Sequence, residues 1–129
     1  MIVVDSSVVI ELVLSTPDGF RIEQQIAGQS GPAVAPELMD LEVLQVLRRQ
    51  VRLNQISPDR AKFAVESLRV LPVRRMQHAP LLPRIWELRD NLTTHDAAFL
   101  ALAEWLDAPC WTRDLKFQNA PHRASVVLI

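Results

Sequence analysis

Short apolar runs alternate along this chain with longer stretches in which apolar positions return every three or four residues. The runs fall at 1–4, 32–35, 70–73, 108–112 and 125–129. They are brief and carry β-branched side chains, which suits strands buried on both faces. The stretches between them begin with helix-start signals. Thr16-Pro17-Asp18 and Ser57-Pro58-Asp59 each set a capping hydroxyl before a proline and an early acid. Helices are predicted at 6–14, from Thr16 onward, from Pro36 to 54, and from Ser57 up to the run at 70–73. Two more are predicted at 81–90 and at 95–106, the second capped by Thr94, and a short helical turn at 114–119. Strands alternating with helices imply an α/β protein with a mainly parallel sheet and helices on both faces. Ligands of such sheets bind beyond the carboxyl ends of the strands.

With 129 residues, 49% of them hydrophobic, the chain can bury a core as one domain spanning 1–129. Its lone cysteine, Cys110, rules out an internal disulfide, fits a reducing compartment, and lies in a strand run where burial is expected. No apolar run approaches the ~20 residues of a membrane span, and no signal segment opens the chain, so the expected location is the cytoplasm, away from membranes. A net charge of −1 does not announce a nucleic-acid binder. The distribution says more: twelve of the fourteen cations are arginines, grouped at Arg48, Arg49 and Arg52 and again at Arg74 and Arg75. Arginine forks suit phosphate, although a solvated helix face explains these groups as well.

Four carboxylates stand where an apolar core would not invite a charge. Asp5 closes the run MIVV, Glu42 sits among the leucines and valines of PELMDLEVLQVL, Asp96 begins THDAAFLALAE, and Asp114 follows APCWT. A lone carboxylate against a core costs several kcal/mol unless it is neutralised or paired. Each has an ordinary explanation too. Asp5 could cap the helix after it, Asp96 could favour a helix amino end, and Asp114 could cap the LKF turn. Glu42 could pair with an arginine, the exposed stripe of its helix then running through Asp40, Arg48 and Arg52. Taken together, two acids at strand ends and two on adjoining helices form an oxygen-only set. Such a set favours Mg²⁺, with Mn²⁺ able to substitute, over zinc. His78, His95 and His122 lack zinc spacing with the one cysteine.

On these residues the chain resembles the PIN-domain ribonucleases, and specifically the VapC toxins of type II toxin–antitoxin pairs. The likeness covers nearly the whole length. It is carried by VVDSSV with its Asp-x-Ser, by LEVLQVLRR, and most specifically by THDAAFLALAE and WTRD. The resemblance implies a PIN-like three-layer sandwich in which Asp5, Glu42, Asp96 and Asp114 bind the metal and carry catalysis. Ser7 and Thr112 match the hydroxyl positions that support them. It further implies an RNA substrate cut to 5′-phosphate and 3′-hydroxyl ends, a VapB-like antitoxin partner and a homodimer. Two positions depart from the pattern: His95 stands where the family often has tyrosine, and Lys116 and Phe117 follow Asp114 where some relatives carry another acid.

Three other readings compete. A PIN nuclease of RNA processing would lack a neighbouring antitoxin gene. A non-catalytic PIN-fold binding module would be expected to have lost an acid, and all four are present. An aspartate-based phosphotransferase usually needs a second Asp close after the first, which VVDSSV does not supply.

Overall fold

The computed structural model describes residues 1–129. Its elements are β1 (Ile2–Val4), α1 (Ser6–Val13), α2 (Pro17–Ala27), β2 (Ala33–Pro36), α3 (Met39–Arg52), α4 (Pro58–Val70), β3 (Val73–Met76), α5 (Leu82–Glu87), α6 (Thr94–Leu106), β4 (Cys110–Thr112) and β5 (Val126–Leu128). Single 3₁₀ turns cover Ala79–Leu81 and Leu115–Gln118. The five strands form one wholly parallel sheet in the order β3-β2-β1-β4-β5.

That order sets both the layers and the site. From β1 the chain steps outward to β2 and β3, then returns past β1 to add β4 and β5. Right-handed crossovers therefore put α1–α4 on one face and α5–α6 on the other. The packing agrees: α1 contacts α2, α3 and α4, while α6 lies across β1, β2 and β4 beside α5. The direction of winding reverses between β1 and β4. The crevice beyond their carboxyl ends is the natural ligand site of an open parallel sheet.

Burial explains the central elements. Every residue of β1 and β4 is buried, including Cys110, as expected of strands covered on both sides. In α6, Ala97–Ala103 are buried without interruption, so this helix is apolar all round and lies deep in the domain. Its four alanines let the helix approach the sheet closely. On the other face, a Cβ at Gly19 would stand 2.1 Å from the Glu11 carbonyl oxygen, so only glycine lets α2 close on α1. No helix is long and apolar enough to cross a membrane.

Four boundaries differ from the sequence reading. Pro36 does not open a helix. It ends β2, buried and in register with Met76, and α3 begins at Met39. The third strand lies at Val73–Met76 rather than 70–73, because α4 runs on through Val70, which stays exposed. As an edge strand, β3 tolerates Arg74 and Arg75, which hid it from an apolar pattern. The helix expected at 81–90 is regular only over Leu82–Glu87. Thr93, not Thr94, caps α6 by accepting from the Asp96 N–H.

Candidate metal-binding acidic site

Asp5 leaves β1 and caps α1, its backbone N–H still bound to the Trp111 carbonyl of β4. Its side chain is buried in the switch-point crevice. Asp5 Oδ2 accepts the Ser7 hydroxyl at 2.7 Å and the Thr112 hydroxyl at 2.9 Å. Those hydroxyls in turn accept the backbone N–H groups of Arg113 and Asp114, each at 3.0 Å. Each hydroxyl thus links an amide of the turn after β4 to one buried carboxylate. Burial raises the Asp5 pKa above the ordinary range, opposed by these hydrogen bonds.

Glu42 approaches from the first turn of α3, half-buried beside the apolar stripe of Met39, Val43 and Leu47. It meets no arginine. Its Oε1 accepts the Ser6 hydroxyl at 2.9 Å. Its pKa too is raised, by burial first and then by repulsion from Asp5 and Asp96, with Ser6 and His95 pulling the other way. Asp40, expected on an exposed stripe, is instead half-buried and clamped by Arg75. Asp5, Glu42 and Asp96 line one open cavity of about 510 Å³, with Ser6, Ser7 and His95 in its wall. That is many times the ~30 Å³ share of one water, so hydrated ions and a phosphodiester have room.

Asp114 does not line this cavity. It caps the turn after β4 by accepting the Lys116 N–H at 2.9 Å, and it is coupled to the others through Thr112 and Lys116. The Lys116 ammonium lies 3.4 Å from Asp114 Oδ2 and 3.8 Å from Asp96 Oδ2. As the side chains stand, no three acidic, histidine or cysteine groups close on one point at metal-ligand spacing. The donor chemistry nevertheless fits a hard cation. The three acids of the cavity are oxygen donors, two with pKa values raised by burial, and Asp5 and Asp96 both repel Glu42. A divalent ion would relieve that desolvation and repulsion together.

Two members of the network, Ser6 and Lys116, carry no signal in the sequence. Ser6 is adjacent to the expected Ser7, but only the tertiary position of α3 gives it Glu42. In the sequence Lys116 shows only as the absence of an acid, whereas it is a cation held between two of them. Among the arginines, Arg48, Arg49, Arg52 and Arg74 are exposed, while Arg75 is spent on structure, as described for Asp40. Beyond His95 and Leu38 lies a second, mainly apolar cavity of about 440 Å³ walled by Leu82, Ile85, Trp86 and His78.

The sequence matches the model of the PIN domain over residues 2–123. It is 35% identical over 130 residues to Ribonuclease VapC12 of Mycobacterium tuberculosis, covering 100% of this chain and 99% of that one. The fold is similar to that of VapBC2 from Rickettsia felis, solved bound to a promoter DNA fragment. That likeness has a TM-score of 0.73 at 12% identity, over 99% and 98% of the two chains. It is similar also to M. tuberculosis VapC20, a toxin that cleaves the sarcin-ricin loop, with a TM-score of 0.71 at 18% identity over 95% and 97%. The chain belongs to the PIN-domain family and, within it, to the VapC ribonucleases.

Proposed function

We propose that this chain is a Mg²⁺-dependent endoribonuclease and the toxin of a type II toxin–antitoxin pair, acting in the cytoplasm. The observation that carries the reading is the joining of Asp5, Glu42 and Asp96 in one cavity at the β1/β4 switch point. Asp5, Glu42 and Asp96 would hold the ion, with Asp114 steadying the Asp96 side of the site. The chemistry that Mg²⁺ or Mn²⁺ supplies when bound is acidification of a water and neutralisation of charge on the phosphoryl group. The protein's own part is positioning. Ser7 and Thr112 hold Asp5 in one orientation, and Ser6 does so for Glu42. Asp96, at the open side, is suited to orient the attacking water. An unstacked base beside the scissile phosphate has room in the adjoining apolar cavity, where Trp86 is exposed. Exposed Arg48, Arg49 and Arg52 are suited to the RNA backbone.

The partners follow from surplus apolar surface. Leu44 and Val65 remain exposed along a groove between α3 and α4 of about 560 Å³, and Phe63 is 72% exposed on α4. Such surface supports a VapB-like antitoxin and a homodimer. Incubating the purified chain with single-stranded RNA tests the enzymatic core of the reading. Cleavage should require Mg²⁺ or Mn²⁺, stop with EDTA, and return when the metal is restored. Undiminished cleavage in EDTA would remove the metal mechanism.

A further inference from the structure

Lys116 is the only lysine or arginine of the chain paired with any of the four acids. It is paired with two, from different elements: Asp96 at the start of α6 and Asp114 after β4. Its side chain is 69% exposed, so packing does not fix it. The carboxylates do. Its backbone is anchored, because its N–H binds Asp114 Oδ1 and the next residue, Phe117, is fully buried. Arg113, the nearest arginine in sequence, is turned elsewhere, to Asp18 at 2.9 Å and Glu11 at 4.0 Å. Asp5 adds a further attraction on the ammonium.

We propose that Lys116 is the second cation of the acidic site: its ammonium occupies the place between Asp96 and Asp114 that a second divalent ion would need, so that the chain binds one divalent ion. The proposal rests on the reading of the acids as metal ligands. Four carboxylates carry a nominal charge of −4, which the lysine reduces to −3. One divalent ion then brings the site to −1, and a second would bring it to +1 while pressing a like charge against the ammonium. Removing the lysine's charge lifts that repulsion and frees Asp114 as a ligand.

The test is Mn²⁺ binding to the full-length, metal-stripped chain, followed by calorimetry and by the electron paramagnetic resonance of free and bound Mn²⁺. The parent should bind one Mn²⁺ per chain, and Asp5→Asn should lose it. Lys116→Met, which keeps the apolar stem, should bind a second Mn²⁺ at least about tenfold more tightly than the parent does, as expected when ligand charge sets affinity. Lys116→Gln guards against an effect peculiar to methionine, and Lys116→Arg should behave as the parent. Two Mn²⁺ bound by the parent with affinities unchanged in Lys116→Met and Lys116→Gln would overturn the role of the lysine alone. No Asp5-dependent Mn²⁺ in any variant would overturn the metal reading, and the proposal with it.

Discussion

The Ser6 hydroxyl donates a 2.9 Å hydrogen bond to Glu42 Oε1, joining the first turn of α1 to the first turn of α3. This is the only hydrogen bond to the Glu42 carboxylate, and it favours the charged form of a group that burial and two neighbouring acids disfavour. Ser6→Ala should therefore raise the Glu42 pKa further and weaken Mn²⁺ binding by about tenfold or somewhat more, the usual cost of losing a group that orients a ligand. Calorimetric titration with Mn²⁺ reads the loss directly. An unchanged affinity would mean that Glu42 is positioned by packing alone.

Arginines that look alike in sequence should separate cleanly. Arg75 donates to both Asp40 oxygens and to the carbonyls of Leu68, Leu71 and Val73, closing the end of α4. Arg75→Ala should cost about 2–3 kcal/mol of stability, because several part-buried acceptors lose their donor. Arg48→Ala and Arg52→Ala should leave the melting temperature within about a degree, as exposed positions do. Each should instead weaken RNA binding and lower the salt slope by about 0.7 per lost phosphate contact.

Strand-to-helix alternation is readable because β1 is continuously apolar, because β4 opens on the apolar pair Cys110-Trp111, and because Thr16 and Ser57 announce their helices chemically. What misled was local. Pro36 has the local chemistry of a helix start but pairs with Met76 of β3, and the edge position of β3 allows arginines where the pattern predicts an apolar run. The same division holds at the site. Asp5, Glu42 and Asp96 stood out as charges among apolar residues, and the fold brings these three together. Asp114 stood out equally but lies outside that cavity, tied in by hydroxyl and lysine. Ser6 could not be singled out, because its partner lies on another helix. Lys116 was visible only as a missing acid, since its two partners meet through the tertiary fold.

Away from the site, Arg84 clamps Glu104 through Nε at 2.7 Å and Nη2 at 3.0 Å, and the Arg123 N–H adds a third bond to Glu104 at 2.7 Å. The Glu104 side chain is only 7% exposed. Glu104→Ala leaves the part-buried Arg84 guanidinium with only its exposed partner Glu87, 2.9 Å away, and should cost about 2 kcal/mol in chemical denaturation. Metal affinity of the folded protein should not change, which separates this structural acid from Asp5, Glu42 and Asp96 in the cavity.

Asp5→Asn and Asp96→Asn should each lower RNA cleavage by on the order of 10³-fold or more, with the double variant scarcely worse, because the two act on one reaction as a unit. Both variants should fold, since asparagine at position 5 can still accept the Ser7 and Thr112 hydroxyls, and the cap of α6 uses the backbone N–H of residue 96, which the substitution leaves in place. Independent, multiplying losses in single-turnover cleavage would show that the two acids do not share a site.

Glu42→Gln should stabilise the metal-free protein at neutral pH while abolishing cleavage. Burial and repulsion from Asp5 and Asp96 hold the Glu42 carboxyl above its ordinary pKa of 4.5. A pKa raised in the folded state gives stability that is complete below the unfolded value and is lost as pH climbs through the folded value. At pH 7 the charged, partly desolvated carboxylate therefore works against the fold. Glutamine removes the charge and can still accept the Ser6 hydroxyl. In EDTA, the melting temperature of the variant minus that of the parent should be positive at pH 7 and shrink as pH falls toward the ordinary glutamate range. The difference is the informative quantity, because Asp18 and Glu104 respond in the opposite sense. Arg113, aided by Arg21, lowers the Asp18 pKa, and Arg84 lowers that of Glu104, so both withdraw stability on acidification below their ordinary range. Saturating Mn²⁺ should reverse the order of the two proteins, since the parent gains the ion and the variant holds it poorly. A variant that melts below the parent in EDTA at pH 7 would show that Glu42 is held by a favourable contact, not poised for a cation.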